Sequence, residues 1–307
     1  KKNYLDYKIT NTKKILVESL VVHPAYFMQN IILANHMRSI LGHEIILILR
    51  KEDKFALKLC KSFNIKKIIF IEEPKFKDRV KNFLLAIKIF SKINNIEKLL
   101  SLKHEGIFLG KLIYDNILRI EVKGTQKKVD GKVFYSCLKF LNFLSILKKI
   151  NKDNNIKYLL QTENQFFPAS ILFQFFLTKK VQCYIKSGVR NYVTLSRYNN
   201  VSNAFRNPLK FSKKLIYEFY NKPKKNKFVK SGKFLMNKRL GGQASKRDII
   251  DAVHYQHGEK ISRNKLCKIF KWDPKKHISL ILANDLTDGV TIGRNIKSSF
   301  NDNLSWL

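Results

Sequence analysis

The chain has 307 residues, 45% of them apolar, and 60 Lys and Arg against 23 Asp and Glu, for a formal net charge of +37. That length holds two compact domains and that apolar content a real core, while no window reaches the roughly 18 consecutive apolar residues of a membrane-spanning helix. The cysteines Cys60, Cys137, Cys183 and Cys267 lie far apart with no C-x-x-C pair, which argues against a zinc site or a disulfide scaffold and fits a reducing cytoplasm. No secretory apolar stretch with a small-residue cleavage site is present, although a segment before Lys1 would hide one.

The charge has more than one reading. It suits an anionic partner: nucleic acid, the anionic face of a membrane, or a phosphorylated substrate. It also suits compositional drift, because Lys far outnumbers Arg and both Asn and Ile are abundant. Nucleic-acid readers favour Arg for bidentate contacts, so nucleic acid is the less expected partner.

Residues 14–20 form a buried-strand run that leads into His23 and Pro24. Ile31, Ala34, Met37 and Leu41 then recur at helical spacing, and Gly42 stands at the expected stop. Residues 44–49 read as a strand, 53–63 as a short amphipathic helix and 67–71 as a third strand. Strands that are apolar on both faces and alternate with helices imply a parallel sheet covered on both sides. Residues 76–102 read as one long helical stretch, followed by a loop at His104, Glu105 and Gly106, a helix through Tyr114 and Leu118, a turn at Asp130 and Gly131, and a helix over 133–150. A fourth strand at 158–161, a helix at 166–178 and a fifth strand at 181–185 resume the α/β pattern.

From 199 to 242 the signal weakens into lysine-rich surface turns. Ser245 caps a helix to about residue 257, with Asp248 completing a capping box. Ser262 caps another to about residue 270, ended by Asp273-Pro274. Residues 277–284 repeat the grammar of the first strand. The chain opens on Lys1 and stops at Trp306-Leu307 inside this second unit, so the expectation is a fragment lacking most of a C-terminal domain. The domain reading is residues 1–242, a helical linker over 243–276, and the start of a second Rossmann-like domain at 277–307.

No G-x-G-x-x-G, Walker loop, H-E-x-x-H, G-x-S-x-G or paired-Cys metal pattern is present, which sets aside dinucleotide dehydrogenases, P-loop kinases, zincins and α/β-hydrolases. Ligands of open α/β sheets sit at the carboxyl ends of strands, so the loops there carry the candidates. His23 is either a donor or base on the cleft floor or a loop histidine beside a proline. Glu163 is placed either to take a proton from an attacking hydroxyl or to serve as a helix-start charge. Arg190 and Arg197 offer a fork of donors to phosphate or carboxylate oxygens. His254 and His257 have no obvious third ligand and read as exposed helix residues.

Several segments, taken in order, resemble bacterial surface-polysaccharide (capsule biosynthesis) glycosyltransferases. Glu105, Gly106, Ile107, Gly110, Ile113, Tyr114, Asp115 and Arg119 match their G-I-x-x-G-x-x-I-Y-D-x-x-x-R segment. Tyr184 through Arg197 and Tyr198 resembles a strand and a following R-Y, and Arg239 to Gly242 with the helix after it resembles a linker. The run from Ala283 through Asp288 and Phe300 to Trp306-Leu307 resembles the opening of the nucleotide-sugar half. The chain departs from that pattern where it reads Gln161-Thr162-Glu163 and Ala283-Asn284-Asp285, since those proteins often carry a His in each place.

The resemblance implies a GT-B arrangement, with two Rossmann-like domains flanking the active site, the first holding the acceptor and the second a nucleotide-sugar donor. It implies sugar transfer to a growing surface polysaccharide or lipid-linked glycan, with the nucleotide sugar as substrate and no metal or other cofactor. Glu163, Asp115 or Glu105 would be the base or acceptor-positioning group. His23, Tyr114, Arg119, Arg190, Arg197 and Asp288 would contact substrate. The implied location is cytoplasmic, with peripheral contact to the anionic inner-membrane surface; the 166–177 segment is dense enough in Phe and Leu to read as core instead. Two alternatives are a non-catalytic basic protein that binds nucleic acid or anionic membrane, and another nucleotide-using α/β enzyme such as a sugar epimerase.

Overall fold

In the computed structural model the described residues are 11–20, 24–121, 126–187, 194–204 and 262–276, with isolated positions between 217 and 237. The elements in order are β1 (Asn11–Ser19), α1 (Pro24–Leu41), β2 (His43–Leu49), α2 (Lys54–Ser62), β3 (Lys67–Phe70), α3 (Phe76–Phe90), α4 (Ile96–Ser101), α5 (Leu109–Glu121), α6 (Gly131–Asp153), β4 (Ile156–Gln161), α7 (Ala169–Thr178), β5 (Gln182–Ser187), β6 (Thr194–Tyr198) and, farther on, α8 (Arg263–Phe270). The strands form one six-stranded sheet in the order β3-β2-β1-β4-β5-β6. β1 to β5 pair in parallel and β6 runs antiparallel at the edge. This is a Rossmann-like α/β fold.

Alternation along the central strands sorts the core into two layers. Ile15, Val17, Ile45 and Leu47 pack with Phe27, Ile31 and Ala34 of α1 and Ala56 of α2. Leu16, Leu20, Ile46 and Ile48 pack with side chains of α3, α5, α6 and α7. Strands apolar on both faces are thus covered on both, as their sequence requires. Helix ends follow local chemistry. The amide of Gly42, at φ 63°, donates to the Arg38 carbonyl at 2.9 Å and closes α1. Asp53 caps α2 by accepting from the Ala56 amide at 2.9 Å.

Three elements differ from the sequence expectation. The stretch 76–102 is two helices, because the Asn95 side chain accepts from the Lys98 amide at 2.8 Å and starts a new helix where one would have continued. The helix expected from residue 166 begins at Ala169, after Pro168. Every residue from Ala169 to Leu177 is buried, so this segment is core and not a lipid-facing surface. Residues 194–198, which carried no expected element, form the edge strand β6, with Tyr198 buried and Leu195 exposed.

The segment from Glu105 to Arg119 has a structural reason for both of its glycines. His104 and Ile107 exchange two backbone hydrogen bonds of 2.9 Å across Glu105 (φ 49°) and Gly106 (φ 80°), a tight turn with both central residues left-handed. At Gly110 a Cβ would stand 1.6 Å from the Leu99 carbonyl oxygen, so only glycine lets α5 start against the backbone of α4.

By contacts the chain divides into two units, residues 1–207 with 285–307, and residues 208–284. All the elements above except α8 belong to the first. In the second, Ser262 caps α8 by accepting from the Lys265 amide at 3.2 Å, as expected, and Lys271 ends it at φ 53°. Among the described residues no helix is long and apolar enough to cross a membrane. The helix expected at 245–257, the strand at 277–284 and the domain divisions after 242 and 276 lie outside the described residues or on their margin.

Gly110→Ala is expected to cost at least about 3 kcal/mol, because backbone must move to make room. Gly106→Ala meets only an ordinary contact with Thr178, 3.4 Å away, and should cost about 1 kcal/mol from its left-handed φ. Urea denaturation of both variants measures the difference.

Candidate functional site

The sheet order reverses between β1 and β4, so neighbouring crossovers diverge at the carboxyl ends of these two strands. Val17 pairs with Leu160 in this parallel register. One residue further on each strand stand Glu18 and Gln161, neighbours on the face that Leu16 and Leu159 share with α7. Glu18 is buried, and its carboxylate accepts from the Leu20 amide at 2.5 Å. Gln161 is fully buried; its amide group donates to the carbonyls of Glu163 (2.5 Å) and Ala169 (3.3 Å). Among the described residues its Oε1 has no hydrogen-bond partner, and neither does the buried Ser170 Oγ in the first turn of α7 or the buried Ser19 Oγ at the end of β1. Left dry, each such atom costs about 1–3 kcal/mol; Gln161 and Ser170 lie on the α7 side of the sheet, and Ser19 lies on the opposite face of β1.

On the α1 side of this edge, Thr162 donates to Asn30 at 3.1 Å. Lys186, near the end of β5, is buried; its ammonium donates to Gln29 Oε1 and lies 5.3 Å from the Tyr26 ring centre. Burial pushes its pKa below the ordinary lysine value.

On the α6 side, a cleft of about 550 Å³ opens above the carboxyl ends of β1, β2 and β3. Its floor includes Leu20, Ile71 and Phe167, and its walls Tyr135, Leu138 and Asn142 of α6. Phe167 is held edge-on by Phe140 and Phe143, with centroid distances of 5.0 and 5.3 Å. Asn142 is fixed in turn by Asn82 of α3, whose amide donates to Asn142 Oδ1 and Ser145 Oγ at 2.9 Å each. The Lys139 ammonium sits 4.4 Å from the Phe167 ring centre. Burial, and secondly the positive charge of Arg50, hold the Lys139 pKa below the ordinary value. Other cations around the cleft are matched: Arg79 with Glu73 at 3.4 Å and Lys51 with Glu72 at 3.2 Å. Among the described residues Arg50 and Lys139 have no such carboxylate. Arg50 and Lys139 line the cleft together with Glu52. A lysine lying on an aromatic ring, with a second cation near enough to lower its pKa, suits an anion carrying an apolar or aromatic portion, and the volume suits a ligand of nucleotide size.

The residues expected from sequence are spread over both ends of the sheet. Glu163 lies in the β4–α7 loop at the carboxyl edge, half-buried, with one carboxylate oxygen accepting from the Gln165 amide at 2.5 Å. Arg119, exposed at the end of α5, lies 4.7 Å from the ring centre of Phe166 and so reaches the same edge. Tyr114 and Asp115 are buried within α5; the Tyr114 hydroxyl accepts from the Gln126 amide at 3.4 Å. Glu105 is at the other end, beside the last turn of α7, where it pairs with Lys148 at 2.5 Å. Arg197 is exposed on β6 opposite Tyr184, toward the amino end of β5. His23, Arg190 and Asp288 lie outside the described residues.

The structure thus brings Glu163 and Arg119 to the carboxyl edge, leaves Glu105 at the other end, and holds Arg197 on the outer strand in the row of Val17, Leu160 and Tyr184. It adds Glu18, Gln161, Lys186, Arg50 and Lys139, which sequence reasoning did not single out for roles. A signal existed for some: Glu18 and Lys186 interrupt apolar strands near their carboxyl ends. Nothing in sequence distinguishes Lys139 from the many other lysines. Among the described residues no three of His, Cys, Asp or Glu gather as a metal site. No protein-family model matches the chain, and neither the curated proteins nor the solved structures contain a match.

The Glu105 cluster sets an acid limit on stability. Burial lowers the His104 pKa from its ordinary 6.5 despite the nearby Glu105, so His104 is neutral at pH 7 and Lys148 is the true ion-pair partner of Glu105. Burial opposes ionisation of Glu105, but Lys148, His104 and Lys179 outweigh it and hold its pKa below the ordinary 4.5. Both groups bind protons more readily unfolded than folded, so their contribution is present at neutral pH and lost on acidification. The unfolding midpoint should begin to fall below pH 6.5 and fall again below pH 4.5. Glu105→Gln should remove the second step at a cost under about 1 kcal/mol, because the pair is partly exposed and screened. A pH series of thermal melts reads both steps.

Proposed function

We propose that this chain is the acceptor-side half of a GT-B glycosyltransferase that moves a sugar from a nucleotide-activated donor to a surface polysaccharide or lipid-linked glycan. The observation that carries the reading is the cleft at the carboxyl edge, which Arg50 and Lys139 both line and where neither is in an ion pair among the described residues. In this reading the two cations hold a phosphate of the acceptor, and Phe167 and Leu138 take its apolar portion. Glu163 accepts the proton of the attacking acceptor hydroxyl as its oxygen bonds to the sugar's anomeric carbon. The bond from that carbon to the donor phosphate breaks, and the nucleotide leaves with the electron pair. Arg119 supplies positive charge at the same edge. Glu105 and Asp115 have no part in this step, the first by its place and the second by its burial.

A transfer assay on the full-length protein tests this, with a panel of labelled UDP-, GDP- and CMP-sugars and diphosphate-lipid-linked glycan acceptors. One donor should give product. Glu163→Gln should lower kcat by about a hundredfold or more with little change in KM, and Arg50→Met with Lys139→Met should raise the acceptor KM at least about tenfold. Absence of nucleotide-sugar binding, joined to nucleic-acid affinity that falls steeply with salt, would replace this reading with that of a basic binding protein.

A further inference from the structure

We propose that α3 is the element by which this protein lies on an anionic lipid bilayer. Phe76, Val80, Phe83, Leu84 and Ile87 are 80, 43, 45, 61 and 45% exposed. At about 100° per residue they fall on one arc of the helix. Asn82, Ala86 and Ile89 form a separate buried arc that seats α3 on the body. Lys77, Lys81 and Lys88 fall together on the arc beside the exposed apolar one, and all three are exposed. None of these lysines pairs with a carboxylate among the described residues. An exposed apolar stripe with a lysine row along its flank is the pattern of a helix lying in the plane of a bilayer, with apolar groups at the acyl boundary and ammoniums on anionic headgroups.

Charge complementarity selects the occupant. Helix α1 also exposes apolar side chains, Met28, Ile32 and Ile40, yet its one cation in the last turn, Arg38, is buried, and no lysine lies on the helix. Apolar exposure alone would suit a protein partner or a second copy equally; of these two helices, α3 is the one that joins it to a row of lysines. The net charge of +37 adds long-range attraction to such a surface. Helix α3 also lines the cleft through Arg79, so docking brings the mouth of the cleft to the headgroup layer, where a lipid-borne phosphate is presented. The membrane contact itself does not depend on the sugar-transfer reading.

The four native cysteines are buried, so Leu84→Cys can be labelled selectively with an environment-sensitive fluorophore on the full chain. Sedimentation with vesicles of phosphatidylcholine containing 30% phosphatidylglycerol, against phosphatidylcholine alone, measures binding. The expected result is a blue shift of the label and co-sedimentation on anionic vesicles only. Phe76→Ser with Leu84→Ser should lower partitioning at least tenfold, Lys77→Gln with Lys81→Gln and Lys88→Gln should lower it at least tenfold, and Ile40→Ser should leave it unchanged. All of these positions are exposed, so circular dichroism should be unaltered. Equal binding by wild type and the α3 variants, or an unshifted label, overturns the proposal. A dimer by light scattering that the Phe76/Leu84 variant abolishes, without vesicle binding, overturns it in favour of self-association.

Discussion

The parallel pairing of β1 with β4 is the constraint on which the rest depends. β1, β2 and β3 are joined by short crossovers and lie to one side of β1, while the return from β3 to β4 passes through four helices and lands on the other side. That long excursion creates the place where neighbouring crossovers diverge, and the register Val17↔Leu160 decides which side chains meet there. A slip of one residue would exchange every inward and outward position of the strand. With β1 held by β2, a slip of β4 would turn Gln161 onto the α1 face and put Thr162 against α7, parting Gln161 from Glu18. The polar edge is thus a consequence of apolar alternation lower in the strands: Leu16 and Leu159 fix one face, Val17 and Leu160 the other.

The cleft depends on the same excursion. α6 is long because it must span the sheet from the carboxyl edge back to the start of β4, and its first turns stand above the strand ends. There the part-buried Asn82–Asn142–Ser145 cluster ties α3 to α6 by hydrogen bonds that fix one helix against the other. Phe167 enters between Phe140 and Phe143 and gives Lys139 a surface to lie on. Arg50 lowers the Lys139 pKa, which is the sign of mutual repulsion that a bound anion would relieve. Of the carboxylates lining the cleft, Glu72 and Glu73 are engaged with Lys51 and Arg79, and Glu52 stands beside them. The arrangement favours binding over stability.

Much of the fold was legible because it is written in periodicity. Continuous apolar runs marked the central parallel strands, and Gly42, Asp53 and Ser262 marked helix ends through chemistry local to a few residues. What failed to show depends on contacts distant in sequence. The break at Asn95 looks the same as a polar surface position until its side chain is seen to cap, and β6 is a short edge strand whose pairing partner is needed to identify it. The site was less legible than the fold. Glu163 could be placed after a strand by counting and Arg119 came in only through the resemblance, while Arg50 and Lys139 line one cleft only because the fold brings the end of β2 and the first turns of α6 to it. The glycines of the 105–119 segment carry a second lesson: Gly106 makes a left-handed turn and Gly110 a close helix approach, so those matched positions serve the architecture at the amino end of the sheet.

Locating an anion on the molecule tests the account most directly. An amide NMR titration of deuterated full chain with inorganic pyrophosphate at physiological salt would do so. Saturable shifts concentrated at Leu20, Arg50, Lys139 and Phe167 are the predicted result. Unsaturable shifts scattered over lysine-bearing surface, with these four residues unmoved, would contradict it.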